Sequence, residues 1–278
     1  MMKKILSFSL SLAFILALSL PAFAASNGRD IPTEPAAYTV TVNEYDVYVD
    51  ARNTSNEDLQ NRGMSEDQID LIKSDAIENE LLEKAALSVD ELSKLGYDNN
   101  QIAILKNYDG QAIEDAPELR GVFAGMTAKF FKSSASTSSL KVRVFWEWSN
   151  APALAGDPIT DLIAMRWQGT NTGGRPLNVA FNSSKSSANV NYYTRDGEYK
   201  FNRSVDIVCD SPYDHAYAEI PVSSGEYEDG WTIYAKSGNM YVQVDRTGTD
   251  SIKEAAFVFG YGHTVIAISP SLSLPASF

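Results

Sequence analysis

The chain has 278 residues, 44% of them hydrophobic and 21% charged, with a formal net charge of −13 and a single cysteine. That charge excludes binding to a nucleic-acid backbone and argues against attraction to an anionic membrane, and one cysteine excludes an intramolecular disulfide. The length suits one large domain or two ordinary ones, with a core able to stand without covalent staples.

Residues 1–24 read as a secretory signal. Lys3 and Lys4 form the charged start, Ile5–Leu20 the apolar run, and Ala22-Phe23-Ala24 a small-x-small cleavage site that leaves Ala25 as the first mature residue. No second apolar run reaches membrane-spanning length, so no transmembrane anchor is expected. No cysteine follows the apolar run to take a lipid, and the tail lacks a sorting pattern, so the expected product is secreted. Loss of the signal takes the charge from −13 to −15, and the remainder is unevenly spread. Ala25–Arg120 carries 21 acidic and 8 basic residues, Gly121–Phe278 carries 15 and 13.

Residues 25–54 are expected to form an arm and a strand. Asn27–Ala37 is rich in Pro, Gly and polar residues, and Tyr38–Asp50 alternates as Tyr38, Val40, Val42, then Tyr45, Val47, Val49. Residues 55–132 form an acidic helical region. Within it Ser55–Lys73 recurs 33 residues later as Ser88–Lys106, with Ser55/Ser88, Leu59/Leu92, Gly63/Gly96, Gln68/Gln101, Ile69/Ile102 and Lys73/Lys106 aligned. Each unit is a serine-capped short helix, a glycine C′ turn and a second amphipathic helix. A further helix is expected over Glu118–Lys132, and the serine-rich stretch 133–139 reads as a linker at a domain boundary.

Residues 140–278 are expected to be nearly all β. Leu140, Val142, Val144, Trp146 and Trp148 share one face of a strand, as do Ile163, Met165 and Trp167, and these tryptophans are read as core. Asp196-Gly197 predicts a hairpin turn between Ala188–Arg195 and Glu198–Asn202, and Ser237-Gly238-Asn239 predicts another turn. Strands at this spacing without intervening helices indicate antiparallel sheets, a sandwich in preference to a barrel. The fold class is therefore α+β: a small helical repeat region followed by an antiparallel β-sandwich-like domain.

The chemistry is sparse. Two histidines are too few for a zinc site, and no hydrolase elbow, phosphate loop or dinucleotide fingerprint occurs, so no cofactor, metal or catalytic residue is expected. Cys209 reads as a small hydrophobe, with a Cys–His nucleophile using His215 or His263 as the alternative. Asp206, Asp210 and Asp214 lack the alternating oxygen ligands of a calcium loop. Glu226, Glu228 and Asp229 read as a solvated turn beside Trp231. The tyrosine-rich back half offers a binding surface, for which Trp231, Tyr227 and Tyr234 are the candidates.

Glu91-Leu92-Ser93-Lys94-Leu95-Gly96-Tyr97 and Gln101–Lys106, together with Phe145-Trp146-Glu147-Trp148 and Asp161–Trp167, resemble exported proteins of Gram-positive bacteria to which no activity is assigned. The resemblance spans Ser55–Gly169 and the closing Gly262-His263-Thr264 and Ser269-Pro270-Ser271; its motifs maintain a fold and carry over no site residue. The expectation is an exported, non-enzymatic protein that binds an envelope component or a glycan through its aromatic β domain. The alternatives are an envelope-active toxin or bacteriocin masked by its acidic front half, and a hydrolase without a recognisable motif.

Overall fold

The computed structural model describes residues 29–61, 64–150, 160–228, 231–263, 266–268 and 271–275; the expected signal segment and cleavage site, with Ala24 and Ala25, lie outside them. Strand β1 (Tyr38–Asn43) leads into six helices, α1 (Glu44–Asn53), α2 (Asn56–Asn61), α3 (Glu66–Lys73), α4 (Ala76–Ala86), α5 (Val89–Lys94) and α6 (Asn99–Asn107). Then come β2 (Gly125–Ala135), β3 (Ser139–Trp148), β4 (Thr160–Asn171), β5 (Pro176–Leu177), β6 (Val179–Phe181), β7 (Ser187–Tyr193) and β8 (Tyr199–Val205). The chain closes with β9 (Val208–Ser211), β10 (His215–Pro221), β11 (Ser223–Glu228), β12 (Trp231–Arg246), β13 (Ile252–His263), β14 (Ile266–Ile268) and β15 (Ser271–Pro275).

These strands form two antiparallel sheets. The first runs β1-β2-β3-β12-β7-β8, with β6 and β11 also on β12; the second runs β14-β13-β4-β10-β9, with β5 on β4 and β15 on β13. Alternation decides which faces meet. Leu140, Val142, Val144, Trp146 and Trp148 on β3 are all fully buried, as are Phe257, Phe259 and Tyr261 on β13. Their rings interlock across the sandwich: Phe130 meets Phe259 at 6.3 Å, and Tyr261 lies edge-on to Trp146 at 5.2 Å and Trp148 at 5.5 Å. The Trp148 indole N–H donates to Tyr261 Oη at 3.1 Å, and Tyr261 donates to the buried Asp161 carboxylate at 2.5 Å. A buried carboxylate needs such a donor.

Several expectations change. Tyr38–Asp50 is a strand only to Asn43, whose side chain accepts from Tyr45 N and caps α1. The helix then buries Glu44, Tyr45, Tyr48 and Ala51, a spacing of three to four residues. Strand β1 pairs with β2, Tyr38 opposite Phe130 and Asn43 opposite Gly125, so the helices are an insertion between two neighbouring strands of the first sheet. Glu118–Lys132 is not a helix. A 3-10 turn over Pro117–Gly121 gives way to β2, because Met126, Ala128 and Phe130 face the sandwich while Phe131 is buried on the other side. Nor is 133–139 a linker: Ser136 Oγ accepts from the N–H groups of Ser138 and Ser139, closing a β2–β3 hairpin. Ser237-Gly238-Asn239 lies within the continuous strand β12, whereas the Asp196-Gly197 turn forms as expected, with Gly197 at φ 91°.

In the helical layer, positions 33 residues apart make matching bonds. Leu59 N and Leu92 N donate to Ser55 O and Ser88 O; Met64 N and Tyr97 N donate to Leu59 O and Leu92 O. Lys73 Nζ donates to Arg52 O and Thr54 O at the end of α1, and Lys106 Nζ to Ala85 O and Leu87 O at the end of α4, where a cation opposes the helix dipole. Capping boxes close Ser88–Glu91 and Asp98–Gln101. The layer shares one core with the sandwich: Ala124 N donates to the buried Glu44 carboxylate, and a side chain at Gly96 (φ 86°) would strike Arg195 O.

Burial pushes the phenols of Tyr48, Tyr192, Tyr234 and Tyr261 above their ordinary value of 10.0. In the unfolded chain they ionise at that ordinary value, so above pH 10 the unfolded state binds fewer protons and is favoured. Stability should therefore be intact below pH 10 and fall steeply as the pH rises beyond it. A urea series at increasing pH should show the midpoint dropping, with tyrosinate absorbance from these residues appearing only on unfolding.

Candidate binding cleft

Of the three residues proposed from sequence, Tyr234 is not exposed: it is 1% accessible, its ring facing the Arg195 guanidinium at 5.4 Å, so it is an interior residue that ligand cannot reach without unfolding β12. Tyr227 and Trp231 pair through their backbones with Thr232 and Glu228; their side chains lie outside the described residues. Cys209 is half-buried, its Sγ donating to the main-chain carbonyl of His215 at 3.4 Å, and burial pushes its thiol up. The His215 imidazole instead meets Asp214, Nδ1 to Oδ2 at 3.0 Å. Asp214 is also bound by Arg166 Nη2 at 2.9 Å, and these two hydrogen bonds hold its carboxyl below the usual value. Among the described residues no three His, Cys, Asp or Glu side chains gather as a metal site.

A different set of side chains converges on the outer face of the second sheet. In β4 the odd residues Ile163, Met165 and Trp167 point inward, which turns Arg166 and Gln168 out. Register places Arg166 opposite Val258 and Gln168 opposite Ala256, so small apolar side chains form a floor beside two long polar ones. The turn Pro212–Asp214 makes one wall and Pro176–Asn178 another, enclosing a cleft of about 550 Å³.

The first wall is held firmly. Trp167 N donates to Asp214 O at 2.9 Å, Asp214 N to Ser211 O at 3.0 Å, and Phe181 N to Pro212 O at 2.7 Å. Three main-chain bonds to β4, β6 and the turn itself hold the backbone on either side of Tyr213, which is 55% exposed. Behind it Trp167 stacks on Phe181 at 5.8 Å and 16°. The result is a rigid turn presenting an exposed phenol ring above an apolar floor, with guanidinium, carboxylate and amide groups within the same cleft. A pyranose ring needs this combination: a flat apolar surface for its C–H face and fixed donors and acceptors for its hydroxyls. In sequence Asp214 counts only as a calcium candidate and Tyr213 only as one of the many back-half tyrosines; their grouping with Arg166 is not legible there, because the segments are 48 residues apart and meet only through sheet register.

The molecule is thus an antiparallel β-sandwich with a helical insertion and an open polar–aromatic cleft. No protein-family model matches the chain, and no curated protein matches it. Faint likenesses to solved β domains do occur. The C-terminal domain of the Streptococcus pyogenes antigen I/II-family protein AspA aligns at 9% identity over 55% of this chain and 53% of its own, with a TM-score of 0.32. The group B streptococcus pilus 2b backbone protein aligns at 7% identity over 53% and 55%, also at 0.32. The collagen-binding domain of a Staphylococcus aureus adhesin aligns at 12% identity over 50% and 88%, at 0.25. These are surface proteins of Gram-positive bacteria, and likeness this distant carries neither a family nor a function across. Among the described residues no helix is long and apolar enough to cross a membrane.

Proposed function

We propose that this chain is an exported, non-enzymatic protein that binds a saccharide of the cell envelope or its surroundings through the cleft on the second sheet. The supporting observation is the exposed Tyr213, on a turn anchored by its main chain, beside Arg166, Asp214 and Gln168 over an apolar floor. Export rests on the charged start, apolar run and cleavage site of residues 1–24, with Ala25 as the mature N-terminus. The acidic helical insertion, read as two units spaced 33 residues apart, is a structural layer in this account: its apolar positions Leu59, Ile69, Leu92 and Ile102 are all spent on the core.

The test is co-sedimentation of the mature chain with purified Gram-positive envelopes. Tyr213 and Arg166 are largely exposed, so Tyr213→Ala and Arg166→Ala should fold normally. Each should weaken binding about tenfold, the equivalent of about 1.4 kcal/mol. Variants that pellet like the parent would remove the cleft from consideration. Retention should hold through the usual carboxylate range and weaken only as the pH falls below it, because the depressed Asp214 group must stay ionised to hold Arg166 in place.

A further inference from the structure

The arm ahead of β1 crosses the outer face of the first sheet and is held there chiefly by Asp30, with Glu34 Oε1 as a further acceptor, 3.3 Å from Arg143 Nη1. Ala37 N donates to Phe130 O at 2.8 Å beside β1; from there toward the N-terminus the anchoring passes to side chains. Asp30 Oδ1 accepts from Arg143 Nη2 at 2.8 Å, and its Oδ2 accepts from Tyr241 Oη at 2.9 Å and Asn189 Nδ2 at 3.5 Å. The main-chain oxygen of Asp30 accepts from Asn239 Nδ2 at 2.7 Å and Arg143 Nη2 at 2.9 Å. One residue earlier, the Arg29 guanidinium lies over the rings of Tyr193 and Tyr199, at 5.7 and 5.0 Å.

The receiving side is built, whereas the arm is superficial. Arg143 Nε donates to Asn239 Oδ1 at 2.7 Å and Asn239 Nδ2 to Asn189 Oδ1 at 3.2 Å, which locks the donors before any carboxylate arrives. The guanidinium also lies against Phe131 and Tyr241, at 5.7 and 5.2 Å. The Arg143 side chain is 8% exposed and Asn239 is fully buried, whereas Ile31 is 42% exposed and the Glu34 side chain 51%. A segment that existed only to stabilise the sheet would bury its apolar side chains. This one instead offers the carboxylates of Asp30 and Glu34 to a guanidinium that it helps to cover.

We propose that Arg143, Asn239, Tyr241 and Asn189, with the Tyr193–Tyr199 pair, form a recognition site for an extended peptide segment in which an aspartate follows a basic residue. The arm is its built-in occupant. A tethered arm acts at millimolar effective concentration, so an incoming segment meets a site that is mostly filled, and its apparent affinity falls by the fraction open. The site lies on the opposite sheet from the saccharide cleft and neither depends on the other.

The test uses the full mature chain and a fluorescent peptide with the sequence of residues 27–37, followed by anisotropy. Asp30→Ala in the chain removes the arm's principal anchor and leaves only the longer Glu34 contact to Arg143, so the peptide should bind this variant at least about thirtyfold more tightly than the parent. Arg29→Ala in the chain, which loosens only the exposed end of the arm, should give an intermediate affinity and serves if Asp30→Ala folds poorly. A peptide carrying Asp30→Asn should bind neither variant well. Equal binding of the aspartate and asparagine peptides, equal binding to parent and variants, or no binding to either variant would overturn the proposal.

Discussion

Gly238→Ala should destabilise the protein by about 3 kcal/mol, the upper part of the usual range for overpacking a core. Gly238 faces inward at the centre of the first sheet, opposite Trp146 on β3 and Val190 on β7. A Cβ there would stand 2.4 Å from the main-chain oxygen of Asn189 and 2.7 Å from Trp146 Cζ2. Neither obstacle yields easily. The carbonyl belongs to a paired strand, and the indole is fully buried against Tyr261. Urea unfolding measures the effect, and the variant's midpoint should fall with the slope unchanged. Pairing Gly238→Ala with Trp146→Phe should not be additive, because the smaller ring removes one of the two clashes. A midpoint within experimental scatter of the parent would mean that the indole does not lie across the glycine.

Arg52→Met should cost about 3–5 kcal/mol, the usual penalty for stranding one member of a buried ion pair. Arg52 Nη2 donates to Glu78 Oε2 at 2.6 Å and to Ser74 O at 2.6 Å, with side-chain exposures of 9% for Arg52 and 6% for Glu78. Glu78 Oε1 in turn accepts from Ile113 N at 3.2 Å, so this carboxylate ties α1, α4 and the segment leading to β2. Without the guanidinium it keeps a single amide partner in the interior. Adding Glu78→Gln should recover much of the loss, since the amide oxygen can still accept from Ile113 and no charge remains buried. If Arg52→Met alone is harmless, the helical layer opens readily enough to hydrate Glu78, and the shared core with the sandwich is looser than the contacts imply.

Where one physical signal dominated, the sequence was a good guide. The β3 alternation has a wholly apolar face, and that face is wholly buried. The caps of α5 and α6 were legible because a capping box is a local device that needs no tertiary partner. Misreadings arose where one pattern serves two structures. Val122, Phe123, Met126, Phe130 and Phe131 have helical spacing, yet a strand buried on both faces produces the same spacing when the second face contributes Phe131. Ser237-Gly238-Asn239 has turn composition, but its glycine answers the close approach of Trp146. Serine-rich 133–139 has linker composition, but those hydroxyls close a hairpin. Tyr45, Val47 and Val49 alternate as a strand would, and only the Asn43 cap with the Glu44–Ala124 bond shows why a helix prevails. The cleft was illegible because Arg166, Pro176, Tyr213 and Val258 meet only through long-range register.

The arm's anchorage lies 209 residues from its origin, at Asn239. In a chain made N-terminus first, Arg29 and Asp30 emerge early and have nowhere to seat until β12 is laid between β3 and β7. The helical insertion, whose contacts are mostly local, can fold meanwhile and bring β1 up to β2, while closure across the sheet waits for nearly the whole polypeptide. Arg29 and Asp30, made well before the sheet that receives them, are therefore among the last residues to find their place. Refolding monitored at Arg29–Tyr199 should lag behind the burial of Trp146 and Trp148.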